Sequence, residues 1–175
     1  MPDASDIPAC HEQFMREAIR EALLAAEAGE VPVGAVVVAG GVIIARAHNA
    51  VESQLLGTAH AELLAIQEAS RRLGMWRLDG CTIYVTKEPC AMCAGAMVNC
   101  RIPELVFGCA DDKTGAAGGA LSVTAMPQGF HTVHTMGGVL QQECLEVLRQ
   151  FFRNRRQESK NRNHSASQAT SIREA

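Results

Sequence analysis

The sequence predicts an α/β fold: a three-layer α/β/α sandwich with a mixed sheet of about five strands and helices on both faces. Three observations predict it. Segments of helical apolar spacing alternate with short β-branched runs along the chain. Gly and Pro fall between those segments, where turns and helix ends need them. No repeat and no linker divides the 175 residues, a length that suits one hydrophobic core. Residues 1–158 read as a single domain, and the polar stretch 159–175 is expected to be a disordered tail.

The first helix is expected from His11 to Gly29, with Phe14, Ala18, Ile19, Ala22, Leu23 and Ala26 on one face and Gly29 as its stop. Val31–Val38 is β-branched and apolar, a buried strand. The Ala39-Gly40-Gly41 turn leads into a return strand, Val42–Ala47. Asn49–Gly57 lacks periodicity and reads as a loop. A second helix is expected over Thr58–Leu73, capped by Thr58 and ended by Gly74. Cys81–Thr86 alternates as a third strand. Pro89 opens a third helix that runs to about Asn99. Pro103–Cys109 is a fourth strand, Asp111–Gly119 a Gly-rich loop, and His131–Thr135 a short fifth strand. Leu145, Leu148, Phe151 and Phe152 form the apolar face of a last helix from Gln141 to about Arg156.

Composition narrows the function. Hydrophobic residues make up 47% and charged residues 20%, which excludes a disordered, collagen-like or coiled-coil chain. Apolar runs such as Val31–Ala39 are too short to cross a bilayer, so no membrane partner is expected. Met1–Cys10 has neither a basic nor an apolar leader region, so no secretory signal is expected. Seven cysteines, an odd number, argue for free thiols in a reducing cytoplasm. The net charge of −3 hides an asymmetry. Residues 1–148 carry 9 Lys+Arg against 17 Asp+Glu, and residues 149–175 carry 7 against 2. An acidic body with a basic end suits either a polyanionic partner or a solubilising helix end.

The chemistry gathers in two clusters, His60-Ala61-Glu62 and Pro89-Cys90-Ala91-Met92-Cys93, each at an expected helix start. Cys90 and Cys93 are three apart, so a first helical turn puts both sulfurs on one face. The positive end of a helix helps thiols ionise. With His60 they make three zinc ligands and leave a fourth position for water, as catalytic zinc requires. Glu62, two residues beyond the histidine, is placed to accept a proton from that water. Each piece has a plainer reading. The C-x-x-C pair alone suits a redox dithiol, His60 a hydrogen-bonded core residue, and Glu62 a solvated helix position. Cys81 and Cys109 read as core residues, and Cys100 as the fourth ligand of a structural site only if two turns of helix could be bridged.

H-A-E followed by P-C-x-x-C resembles the signature of zinc-dependent nucleoside and nucleobase deaminases, whose fold is cytidine deaminase-like. Within that superfamily the chain resembles the bacterial tRNA-specific adenosine deaminases. The stretches that carry this are Glu30–Val36, Thr58–Glu62, Tyr84–Met97, Phe107-Gly108, Asp111–Gly118 and Phe151–Arg156. The resemblance implies hydrolysis of adenosine to inosine at the wobble position of a tRNA anticodon, with one Zn²⁺ per subunit held by His60, Cys90 and Cys93. Zinc-activated water would attack C6, and Glu62 would shuttle protons. Asn49 would hydrogen-bond the base or ribose, and the Ala61 main chain would read the base edge. Asp111 and Lys113 would lie beside the flanking nucleotides. The resemblance also implies a homodimer. The sequence departs from the family at Leu56-Gly57, where Asp-Pro is usual, and at Cys100.

The residues lend independent support to an RNA substrate. An anticodon loop presents bases that unstack at a cost of about a few kcal/mol. Arg149, Arg153 and Arg156 recur at helical spacing, and with Arg155 they offer phosphate contacts to the anticodon stem-loop. Two rivals remain: a deaminase of free guanine or cytosine on the same fold, and a non-enzymatic zinc protein.

Overall fold

The computed structural model describes residues 9–173. Its elements are α1 (Ala9–Glu27), β1 (Gly34–Ala39), β2 (Val42–His48), α2 (Val51–Gln54), α3 (Ala61–Leu73), β3 (Cys81–Lys87), α4 (Ala91–Asn99), β4 (Glu104–Cys109), β5 (His134–Gly137) and α5 (Gln141–Arg173), with a 3₁₀ turn at Val123–Ala125. The five strands lie in the order β2-β1-β3-β4-β5. β1 pairs antiparallel with β2 and β3, whereas β3, β4 and β5 run parallel. This is the expected mixed sheet of a three-layer sandwich.

Alternation along the strands divides the core. Ala35, Val37, Ile83, Val85 and Leu105 face α3 and α4, and pack with Ala65, Ile66, Met97 and Val98. Val36, Val38, Tyr84 and Val106 face the other way, toward Met15 and Ala18 of α1 and Cys144 and Leu148 of α5. The inner strands β1, β3 and β4 are thus covered on both faces, which is why β1 reads as a continuous apolar run. Gly34 sets how closely α1 lies on β1. A Cβ there would come 2.8 Å from Glu21 Cβ and closer still to the α1 backbone at Ala18 and Ala22.

Four expectations are corrected. The second helix begins at Ala61 and not at Thr58, because Leu56 O and Thr58 O accept from the Ala59 and His60 amides and hold those residues in a tight turn. The loop after Asn49 contains the one-turn helix α2, whose residue Leu55 closes it in the left-handed region at φ 51°. The fifth strand is His134–Gly137, set by the partner register Glu104↔His134. The last helix runs from Gln141 to Arg173, past the end expected near Arg156. No Gly or Pro lies between Gln141 and Ala175 to stop it.

The functional consequence lies at one edge. β3 and β4 end together, and the loops before β1 and after β2 return to the same edge. Ligands of open α/β sheets bind beyond such strand ends.

Candidate active site

His60 and Cys90 hold matching places. Each is the N-cap residue of its helix, α3 or α4, in extended backbone (φ −76°, ψ 147° and φ −72°, ψ 173°). Neither spends its side chain on capping its own helix, so both are free to face a common point. Cys93, one turn into α4, is fully buried behind them.

His60 Nδ1 lies 3.8 Å from Cys90 Sγ and 3.6 Å from Cys93 Sγ, and the two sulfurs are 3.8 Å apart. Tetrahedral zinc, at roughly 2.3 Å from sulfur and 2.0–2.1 Å from nitrogen, sets sulfur–sulfur edges of about 3.8 Å and sulfur–nitrogen edges of about 3.6 Å. The three atoms therefore have the spacing of one face of that tetrahedron, and they form the cluster with metal-ligating geometry among the described residues. Electrostatics agrees. A thiol proton shared with Cys93, the amides at the start of α4 and the nearby His60 lower the Cys90 thiol to about 5. Cys93 is pushed strongly upward by its sulfur neighbour and by burial. The pair thus gives up one proton readily and the second only to a cation.

The triangle opens on a cavity of about 330 Å³ lined by Glu30, Val31, Val33, Asn49, Val51, Glu52, His60, Glu62, Lys87, Glu88, Cys90 and Thr114. That is the lower end of small-molecule pockets. Glu62, in the first turn of α3, is 4% exposed. Burial holds its carboxyl above the usual carboxylate range, partly opposed by its own amide and by His60. A carboxyl so placed holds its proton more readily than an exposed one.

Of the residues singled out from sequence, His60, Glu62, Cys90 and Asn49 line this cavity and Cys93 backs it. Ala61 is fully buried, and its amide, at the first helical position, has no acceptor within its helix. Asp111 and Lys113 do not line the cavity. The Asp111 carboxylate pairs with Lys87 and Thr114 Oγ1, and accepts from the Lys113 and Thr114 amides at 2.9 and 3.1 Å. Against the cost of burial, these bonds hold it well below the usual range. The lining positions belong to its partners Lys87 and Thr114, and Lys113 is exposed.

Arg149, Arg153 and Arg156 line a second groove with Leu145, Leu148 and Phe152. Arg155 leaves that stripe. It sits on the opposite side of α5, over the Phe151 ring and in a groove shared with Glu27 and Gly29 of the α1 end.

Sequence reasoning missed Glu30 and Glu88. Both are buried, and each lies at the edge where the parallel strands end. Glu88 accepts from the Asp111, Ala117 and Gly119 amides at 2.8, 2.9 and 2.8 Å. Glu30 accepts from Asn49 Nδ2 and from the Glu52 and Ser53 amides. The available signal was a lone carboxylate directly flanking an apolar strand in each case.

Comparison with known proteins agrees with this geometry. The model of the MafB19-like deaminases matches residues 9–156. The chain belongs to that deaminase family. It is 49% identical over 149 residues to the tRNA-specific adenosine deaminase of Bacillus subtilis (strain 168), covering 85% of this chain and 92% of that protein. It resembles a structure from biochemical and structural studies of A-to-I editing by tRNA:A34 deaminases at the wobble position of transfer RNA, with TM-score 0.75 and 40% identity. That likeness covers 78% of this deaminase and 99% of the other chain. A guanine deaminase from Bacillus subtilis is also similar, at TM-score 0.55 and 39% identity, over 57% of this chain and 64% of that one. Among the described residues no helix is long and apolar enough to cross a membrane.

Proposed function

We propose that this deaminase hydrolyses adenosine to inosine at the wobble position of a tRNA anticodon. The observation that carries the chemistry is the triangle of His60, Cys90 and Cys93, with the edges of a zinc tetrahedron, facing a cavity that Glu62 walls. The substrate follows from the relatives: identity is 49% to a tRNA-specific adenosine deaminase and 40%, at TM-score 0.75, to a tRNA:A34 deaminase structure, each over most of both chains, whereas guanine deaminases are similar at 39% identity over 57% of this chain or at 24% identity over 80% of it.

His60, Cys90 and Cys93 would hold one Zn²⁺ per subunit. Zinc bound there supplies the acidity that turns water into a nucleophile near neutral pH. Glu62 takes the proton that this water gives up and passes it to N1 of adenine as oxygen adds at C6. It then takes the proton of the new C6 hydroxyl and delivers it to the departing amine, which leaves as ammonia as the C6 carbonyl forms, and the base becomes hypoxanthine. Burial suits Glu62 to this traffic, since its carboxyl holds a proton more readily than an exposed one. Asn49 hydrogen-bonds the nucleoside, and the free amide of Ala61 meets the base edge. Lys113, exposed on the loop that Asp111 braces, lies beside the flanking nucleotides.

The arginines at 149, 153, 155 and 156 contact phosphates of the anticodon stem-loop. A homodimer fits the exposed Leu55, Leu56 and Met92, which flank the ligands in sequence and leave apolar surface for a second copy. Free cysteines and a tRNA substrate suit a reducing compartment such as the cytoplasm.

The test is direct. Pure protein is incubated with anticodon stem-loops that differ only at the wobble base, and with free adenosine and guanine, and the products are separated by chromatography. Inosine from the adenosine-34 stem-loop alone is expected. Xanthine from guanine, with no inosine in RNA, would reverse the assignment of substrate.

A further inference from the structure

Glu30 is hydrogen-bonded to none of the three ligands, yet it is 1% exposed in the cavity wall. Its Oε2 accepts from Asn49 Nδ2 at 3.2 Å and from the Glu52 amide at 3.2 Å, and its Oε1 from the Ser53 amide at 2.8 Å. All these donors point at one side chain, which therefore acts as an acceptor only. The orientation of the Asn49 amide follows from this without further assumption. Its nitrogen must face Glu30, because its oxygen there would meet another acceptor.

The Asn49 oxygen is then left over. Among the described residues no hydrogen bond engages it. It is not among the buried polar atoms that lack a partner, so it is open to the cavity it lines. Adenosine offers few groups to such an acceptor. N1, N3 and N7 of the base are acceptors themselves, and the 6-amino group is the leaving group, committed to the metal end of the cavity. The remaining donors are the ribose hydroxyls, and inside an RNA strand the 3′-oxygen is esterified, which leaves the 2′-hydroxyl.

Resting on the reading of the site as an RNA adenosine deaminase, we propose that Glu30 is a positioning residue that fixes the Asn49 amide so that its oxygen accepts the 2′-hydroxyl of the target nucleotide. The pair thereby selects ribose over deoxyribose. Glu30 acts through Asn49 and does not itself touch the nucleotide.

The experiment compares wild type, Glu30→Gln, Asn49→Ala and the double variant on two stem-loops, one all-RNA and one with a single 2′-deoxyadenosine at the target. The readout is the ratio of kcat/KM for the two. Wild type is expected to favour ribose by about tenfold, the worth of one good hydrogen bond. Glu30→Gln, whose amide can turn its own N–H groups toward Asn49, lowers that ratio to near one. Asn49→Ala does the same, and the double variant loses no more than either alone. A merely structural role would slow both substrates equally and leave the ratio intact, and that result overturns the proposal. If Glu30→Gln does not fold, Glu30→Asp, whose shorter side chain withdraws the carboxylate from Asn49 Nδ2, takes its place: a retained ribose preference overturns, a lost one supports. Absence of inosine from wild type on either stem-loop is a different failure, that of the functional reading itself.

Discussion

The loop from Asp111 to Gly119 is wound around one buried carboxylate, and Glu88→Gln measures how much that carboxylate holds. Glu88 is 3% exposed, and its two oxygens accept three main-chain N–H groups, from Asp111 at 2.8 Å, Ala117 at 2.9 Å and Gly119 at 2.8 Å. The packing is close as well: a Cβ at Gly119 would lie 2.6 Å from Glu88 Oε2. Glutamine is nearly isosteric but carries one oxygen. If that oxygen keeps the Ala117 and Gly119 amides, the new NH₂ faces the Asp111 amide, donor against donor. A hydrogen bond to a charged group contributes about 1.5–3 kcal/mol, and a buried donor left without an acceptor costs about 1–3 kcal/mol. Two bonds weaken from charged to neutral, and one is lost. Removing a buried charge offsets part of this, so the net destabilisation is about 2–3 kcal/mol. For a domain of this size that lowers Tm by about 5–10 °C. Urea unfolding should show a lower midpoint at unchanged m. Hydrogen exchange should speed up in the 111–119 amides more than in β3 or β4. A stability change within about 0.5 kcal/mol, the range of an ordinary surface substitution, together with unchanged loop protection would refute the reasoning.

Other outcomes follow from the same geometry. Glu62→Gln should keep stoichiometric zinc by metal analysis while kcat falls about 10²–10⁴-fold, because an amide cannot shuttle the proton; retained activity would remove Glu62 from the mechanism. Cys93→Ala should abolish tight zinc binding, seen as loss of metal after dialysis against a weak chelator. Asp111→Asn should destabilise at neutral pH. The wild-type carboxylate is held below its ordinary 3.8 by Lys87 and its loop bonds, so its contribution is full above that value and disappears as pH falls through the lowered folded value. Urea titrations of both proteins from neutral to acid pH should therefore converge at the acid end. Changing Arg149, Arg153 and Arg156 together to Ala should weaken stem-loop binding and flatten its dependence on log salt by about 2–3; an unchanged slope would remove these residues from the RNA path.

Much of the site was legible because its chemistry is local. The spacing of Cys90 and Cys93 and the order His60, Glu62 carry their geometry within one helical turn each. What the sequence did not reveal depends on partners far along the chain. Thr58 looks like a cap, but the turn made by Leu56 and Thr58 carbonyls delays α3 to Ala61 and makes His60 the cap residue. Asp111 reads as a loop acid beside the flanking nucleotides, and only the fold shows that Lys87, 24 residues away, neutralises it. Glu30 and Asn49 are 19 residues apart and meet because a hairpin brings both ends to one edge. The end of α5 was misjudged for another reason. The residues after Arg156 carry no apolar stripe to mark a helix, and no Gly or Pro to end one.

The ligands sit at the starts of two helices packed on the sheet, but, apart from Glu62 and the β3 end at Lys87 and Glu88, the remaining cavity wall comes from short connecting segments near residues 30–33, 49–52 and 114. The bond-breaking apparatus and the surface that chooses the molecule are thus drawn from different stretches of chain. Each can vary without disturbing the other, so a lineage can exchange one nucleobase for another by editing a few loop positions while its reactive centre stays untouched. For protein engineering, this makes the connecting segments the place to alter selectivity and the helix starts the place to leave alone.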